Sequence, residues 1–245
     1  MKHAAEKILD IIYPRKCPGC GEILRPQGRL ICPDCDAALR PLIVPLYEAE
    51  ENAPALCMKC GAPLTGEGEY CRMCTAHPHI FEQGRAIFIY DDRWKRSLER
   101  YKFYGHREFA DFYAAAMVKW GGDAIRRWAP DMIVPIPLHI RKERARGFNQ
   151  ARLIAEKTAD RTGIPVSCDI LLKTRRTAAQ KKLDYVHRRR NLKDAFSCSR
   201  RLSGERILLI DDVYTTGSTM DAAASCLKNA GAGPVFFLTF CIAVR

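Results

Sequence analysis

ILLIDDVYTTGSTM, residues 207–220, is the stretch on which the fold turns. Four apolar residues, Ile207 to Ile210, read as a buried strand. The strand brings two carboxylates, Asp211 and Asp212, to its carboxyl end. Thr215, Thr216, Gly217, Ser218 and Thr219 follow, and then a helix begins. Hydroxyls and free amides at a helix N-terminus make an anion site, and a glycine there allows close backbone approach. Carboxylates beside such a cradle are costly unless they meet hydroxyls or a metal ion. A ribose 5-phosphate answers both needs, with vicinal hydroxyls for the acids and a phosphate for the loop. The stretch is neither GxxxxGKS nor GxGxxG, so the usual nucleotide loops do not apply.

The flanking sequence extends the pattern in both directions. Residues 219–230 read as a helix with Gly231 at its C′ position, and PVFFLTFCIAV (234–244) as a strand. Upstream, RAIFIY (85–90), MIVPIP (132–137) and PVSCDIL (165–171) read as strands. Residues 93–120 read as a helix broken near Gly105, and Asn149 caps a helix running to about Arg161. Strands alternating with helices imply an α/β fold, a mostly parallel sheet with helices on both faces. Ligands of such sheets bind beyond the carboxyl ends of the strands.

Twelve cysteines are present, and eight of them form four CxxC pairs before residue 75. The pairs are Cys17/Cys20, Cys32/Cys35, Cys57/Cys60 and Cys71/Cys74, a repeat with a period of about 40 residues. Each CxxC supplies two thiolates from one tight turn, and tetrahedral Zn²⁺ takes four. No thioredoxin-like βαβ pattern surrounds the pairs, so metal binding is favoured over redox chemistry. Sequential pairing and a cross-braced pairing both satisfy the spacing. Four thiolates close each site, so the zinc is read as structural, and His77 and His79 as ordinary surface residues. The expected organisation is an N-terminal helix and four-cysteine zinc-binding module over 1–78 and an α/β domain over 79–245. Cys17→Ser is expected to unfold residues 13–40 and leave the second domain's ligand site mostly intact.

The chain has 245 residues, 47% of them hydrophobic, and a formal charge of +12. The stretch Arg141 to Arg206 carries 19 of the 40 Lys and Arg. Such an excess suits a polyanion, single-stranded nucleic acid included, although a solvated basic face also explains it. Phe148, Tyr185 and Phe196 are the only aromatics there suited to base stacking, and Phe148 reads rather as core. No apolar run is long enough to span a bilayer, and Glu6, Lys7 and Asp10 interrupt any signal-peptide core. Ala5, Ile8, Leu9 and Ile12 fit a short amphipathic helix instead, and the chain reads as cytoplasmic with no membrane insertion.

IDDVYTTGST resembles the motif of type I phosphoribosyltransferases that binds phosphoribosyl pyrophosphate (PRPP). Further blocks narrow the resemblance to the ComF family: PIPLHIRKERARGFNQA (135–151), RTAAQKKLDYVHRRRNLKDAF (176–196), YKFYG (101–105) and the preceding double CxxC module. The similarity spans nearly the whole chain. It departs at Asp194, where a small residue such as glycine is expected, and this touches no proposed ligand.

The resemblance implies a sheet of the type I phosphoribosyltransferase kind preceded by a small zinc-ribbon-like module. It assigns PRPP to Asp211, Asp212, Val213, Tyr214, Thr215, Thr216, Gly217, Ser218 and Thr219. The two acids would hold the ribose hydroxyls, directly or through Mg²⁺, and the loop would hold the 5-phosphate. The turn carrying Leu138, His139, Arg141 and Lys142 matches the pyrophosphate loop. Thr177, Gln180, Arg188 and Asn191 match a mobile loop that closes over the site. No residue is singled out as catalytic, and no signature of a base-recognition pocket is present. The family's association with DNA uptake in natural transformation brings single-stranded DNA and the uptake machinery in as candidate partners. Phosphoribosyl transfer to an unidentified nitrogen acceptor and non-catalytic PRPP sensing are the alternatives. Metal analysis of the purified protein should find about two Zn²⁺ per chain; free thiols or disulfides in a folded, metal-free module would contradict it.

Overall fold

The computed structural model describes residues 14–25, 28–42, 55–174 and 195–244. The amphipathic segment around Ile8 and the mobile-loop residues Thr177, Gln180, Arg188 and Asn191 lie outside them. Four strands, β1 (Gln83–Ile89), β2 (Met132–Pro135), β5 (Ile207–Tyr214) and β6 (Val235–Ile242), form one sheet in the order β1-β6-β5-β2. All three pairings are parallel, as the alternating pattern predicts. β6 is buried at every position, which a parallel sheet covered on both faces requires. Two short strands, β3 (Leu171–Lys173) and β4 (Phe196–Cys198), pair antiparallel beside it.

The expected strand over 165–171 is not formed. Only Val166 bridges to the sheet, beside Ile133, while Leu171 begins β3. PVSCDIL is apolar at both ends but turns between them, so its burial comes from two separate contacts. The segment expected to break near Gly105 divides into α3 (Asp92–Phe103) and α4 (Phe109–Trp128), and Gly105 takes φ 78° between them. Asp91 caps α3 by accepting from the Trp94 amide at 2.9 Å. Asn149 caps α6 (Gln150–Thr162) by accepting from the Ala151 amide at 3.0 Å, as its position predicts. α5 (Ile140–Arg146) and α7 (Ser218–Asn229) complete the helices of this part of the chain.

The cysteine module folds as two copies of one turn. The Cys17 amide donates to the Glu22 carbonyl, and the Cys57 amide to the Ala62 carbonyl, both at 2.7 Å. Gly21 and Gly61 return amides to the Cys17 and Cys57 carbonyls at 2.8 and 2.9 Å. Both glycines have positive φ, 91° and 73°. The second CxxC of each copy opens a short helix, α1 (Pro33–Ala37) after Cys32 and α2 (Arg72–Ala76) after Cys71.

These copies pack on opposite faces of the sheet. Cys17, Leu24, Ile31, Cys35 and Leu39 share a core with Phe88, Trp94, Tyr113 and Phe240. Cys57 and Cys60 share the other core with Phe81, Leu209, Leu227 and Phe237. Between them the module satisfies backbone groups of the edge strand β1. The Gly84 amide donates to the Lys59 carbonyl, and the Leu42 amide to the Ile87 carbonyl, both at 2.7 Å. Arg100 of α3 reaches the Cys20 carbonyl at 3.2 Å. No helix among the described residues is long and apolar enough to cross a membrane.

The hydrophobic core is therefore continuous across residue 78. This continuity revises the expected outcome of Cys17→Ser. Loss of the first zinc site should lower the midpoint of a single unfolding transition, followed by the fluorescence of the buried Trp94 and Trp120. Two separate transitions, with the tryptophans reporting only the unshifted one, would contradict it.

Candidate functional site

Asp211 and Asp212 lie in the carboxyl-terminal half of β5, as the sequence predicts, and the surrounding elements aim polar groups at Asp212. Its carboxylate is buried and forms an ion pair with the Lys102 ammonium of α3. Gln150 Nε2, in the first turn of α6, donates to the other oxygen at 3.3 Å. Arg146 donates to the Gln150 side chain, and the Tyr101 hydroxyl to the Gln150 carbonyl at 2.8 Å. A line of donors thus runs from Arg146 through Gln150 to Asp212.

The two acids differ electrostatically. Burial, and then the charge of Asp212, hold the Asp211 carboxyl well above the usual carboxylate range. Burial also acts against ionised Asp212, but the Lys102 charge and the hydrogen bonds from Lys102 and Gln150 outweigh it, so Asp212 lies below that range. Lys173 of β3 feels the Asp211 charge, although its own burial lowers its pKa.

The hydroxyl loop sits over the start of α7. Gly217 takes φ 79°, and Thr216 and Ser218, both buried, share a hydrogen bond of 3.0 Å between their hydroxyls. A side chain at position 217 would meet the Tyr214 hydroxyl at 2.7 Å and His79 Cε1 at 2.6 Å. His79 is therefore no surface residue, contrary to the sequence expectation. Its side chain is 1% exposed and stacks on Phe81 with ring centroids 4.6 Å apart. Its Nδ1 lies 2.7 Å from Asp221 Oδ2, and the Ile80 amide donates to Asp221 Oδ1 at 2.8 Å. The chain leaving the fourth CxxC pair, Cys71/Cys74, thus grips the first turn of α7.

The turn expected to carry the pyrophosphate loop enters α5 directly. Leu138 precedes it, and His139 is its N-cap, with Nδ1 accepting from the Arg141 amide at 3.2 Å. Arg141 and Lys142 stand exposed in the first turn. Leu138, Ile140 and Lys173 line one cavity, so the turn lies beside β3. Of the aromatics in the basic stretch, Phe148 and Phe196 are buried and Tyr185 lies outside the described residues, so neither described ring offers a free face for stacking.

The eight module cysteines fall into two groups, Cys17, Cys20, Cys32, Cys35 and Cys57, Cys60, Cys71, Cys74. The pairing is sequential. Sulfur separations of 3.6, 3.8 and 3.7 Å are found for Cys17–Cys32, Cys20–Cys32 and Cys60–Cys71. A tetrahedron with Zn–S bonds of ~2.3 Å has edges of ~3.8 Å, so these are two four-cysteine zinc-binding sites. Burial acts against a Cys17 thiolate, but the amides of Cys32, Cys20 and Gly19 bring its pKa down to about 7, which suits metal ligation.

Residues 8–75 match the family model of the double zinc ribbon domain, and residues 149–243 that of the phosphoribosyl transferase domain. Competence protein ComFC of Bacillus subtilis is 30% identical over 217 residues, which cover 85% of this chain and 82% of the relative. The chain belongs to the ComF family. Other ComF relatives agree with this. DNA utilization protein YhgH of Salmonella typhimurium is 29% identical over 86% of this chain and 89% of its own. Competence protein F of Haemophilus influenzae is 29% identical over 71% and 79%. In this ComF chain, sequence reasoning assigned no functional role to Lys102, Lys173, His79 or Asp221. Lys102 stood in the quoted YKFYG block, and Asp221 follows the hydroxyl loop by two residues. His79 and Lys173 carried no local signal, because their partners are distant in sequence.

His79→Ala and Asp221→Ala should each destabilise the protein by about 1–3 kcal/mol in urea unfolding, since each strands a buried polar partner. The double variant should cost less than the sum of the two. Additive losses would show that the pair does not act as one contact.

Proposed function

We propose that this ComF-family protein binds PRPP at the carboxyl end of β5. The single observation that carries the reading is the pair Asp211 and Asp212 near that end, followed after Val213 and Tyr214 by the hydroxyl loop over the α7 N-terminus. The amides and hydroxyls of residues 215–219 receive the 5-phosphate, supported by the helix dipole. Asp211 and Asp212 take the ribose hydroxyls. Val213 and Tyr214 fix the spacing between acids and loop, with Tyr214 stacked on Phe237 at 4.7 Å. Arg141 and Lys142, exposed in the first turn of α5, draw in the pyrophosphate, while Leu138 and His139 shape the turn that holds them. Thr177, Gln180, Arg188 and Asn191, outside the described residues, would in this reading close over the bound ligand.

The acids also fit Mg²⁺. Two adjacent carboxylates face one ammonium, Lys102, and the divalent ion would be held by Asp211 and Asp212, where it neutralises pyrophosphate charge. Lys102 holds Asp212 ionised and ready for ligand. Arg146 and Gln150 orient it.

The cellular role in this reading is support of DNA uptake in the cytoplasm. Relatives named competence protein and DNA utilization protein favour that role, and a basic chain suits single-stranded DNA and its uptake machinery as partners. Whether PRPP is consumed there or only sensed is decided by whether pyrophosphate is released.

Asp211→Ala or Asp212→Ala should weaken PRPP binding with Mg²⁺ about tenfold to a hundredfold by calorimetry, because each loses a charge-assisted contact of about 1.5–3 kcal/mol. Unchanged affinity in a folded variant would contradict the assignment. Burial and the charge of Asp212 raise the Asp211 pKa, and a bound cation favours its ionised form, so binding should release a proton wherever Asp211 is still protonated in the free protein. Affinity should then rise with pH until Asp211 ionises unaided. A flat or falling profile would remove Asp211 from the metal side of the site.

A further inference from the structure

Four cysteines lie outside the two zinc groups: Cys168, Cys198, Cys226 and Cys241. Two of them meet. Cys198, the last residue of β4, faces Cys226 in the third turn of α7, with the two Sγ atoms 3.2 Å apart. Cys198 Sγ also donates to the Cys226 carbonyl at 3.4 Å, so its side chain is turned onto the helix. The sulfurs are closer than the 3.6, 3.8 and 3.7 Å found within the zinc groups. Among the described residues no third ligand joins the pair in a metal group. About 1 Å of side-chain movement separates the two thiols from a covalent bond of ~2.0 Å. Both residues are partly exposed, so a small reagent can reach them.

We propose that Cys198 and Cys226 form a reversible thiol–disulfide modification site whose substrate is a low-molecular-weight disulfide of the glutathione kind. A Cys198 thiolate attacks one sulfur of the reagent, forms a mixed disulfide and expels one glutathione thiolate. Cys226 then gives up its proton and attacks the Cys198 sulfur, which closes the ring and expels the second thiolate. Two protein thiols are oxidised, one reagent disulfide is reduced to two thiols, and the two protein protons end on the leaving groups. Burial, and then Cys198, push the Cys226 thiol up to about 12, so Cys226 keeps its proton until its partner is engaged. In a glutathione-rich compartment such a pair rests as two thiols and closes when the thiol pool becomes oxidised. The other two cysteines are placed differently. Cys241 is buried in β6, and Cys168 Sγ lies 3.9 Å from a carboxylate oxygen of Glu156.

Closure has a consequence for the fold. The covalent ring runs from 198 to 226, so it encloses β5 with Asp211 and Asp212 and the hydroxyl loop over the α7 N-terminus. It also ties α7 to the β3–β4 pair, in which Leu171 and Cys198 are partners. α7 and β4 already pack together, so the bond fixes their existing arrangement. The site is independent of which ligand binds at β5.

The full-length zinc-loaded protein is incubated with oxidised glutathione, and peptides are mapped without reduction beside a measurement of zinc content. A peptide crosslinked through Cys198 and Cys226 should form, about two thiols per chain should be lost, and zinc should stay bound. The midpoint of thermal unfolding should rise by about 5–10 °C. Excess reduced glutathione should restore both thiols. Cys226→Ser should stop at a mixed disulfide on Cys198, and Cys198→Ser should form no crosslink. The proposal is overturned if the crosslinked peptide is absent from the oxidised parent protein, or if module cysteines are oxidised first with release of zinc. A crosslink that excess reduced glutathione cannot reopen would remove its reversibility and the proposal with it. A midpoint that stays or falls on oxidation would show that closure disturbs the packing of β4 on α7, against the proposal.

Discussion

A parallel sheet must be covered on both faces and protected at its edges, and most of this molecule answers that demand. β6 is buried at all eight positions, and its neighbour β1 is an edge strand of the same sheet. Helices supply part of the cover. The two zinc ribbons supply the rest, one on each face, and Lys59 within the second ribbon and Leu42 after the first give hydrogen-bond partners to β1 at Gly84 and Ile87. A zinc-bound turn is well suited to this, because the metal fixes a short loop that has few apolar residues of its own. The ribbons are thus structural parts of the α/β unit as well as metal sites.

The same demand places the candidate site. Covering the sheet with α3 and α6 brings Lys102 and Gln150 to Asp212, and covering its other face with α7 and the second ribbon brings His79 to Asp221. The site is therefore held from both faces at once. Asp211 and Asp212 acquire different electrostatic characters although they are neighbours in sequence, because one has an ammonium at hand and the other has mainly burial and its neighbour's charge.

What could be read from the sequence was whatever depends on local pattern. The apolar run Ile207 to Ile210, the cap at Asn149, the glycine ending α7 and the CxxC repeat each carry their own instruction within a few residues. The strand expected at 165–171 failed because its apolar residues answer to two different neighbours, Ile133 and the β3–β4 pair, and nothing in the segment distinguishes that from one strand. His79 was misread because its partner lies 142 residues away. The zinc pairing was ambiguous because CxxC spacing constrains each pair and not the choice of partner. Lys102 could be quoted as part of a motif, but its role appears only when α3 is laid against β5.

Gly84 packs so closely that a β-carbon there would fall 2.0 Å from the Phe237 ring, and its amide is held by the second ribbon at Lys59. The first turn of β1 is thus pressed between a ring and a metal-braced loop. Removal of zinc would free that amide and uncover a strand margin rich in apolar residues, which is a template for pairing with another chain. For this protein, zinc would then bear on self-association as well as on the fold.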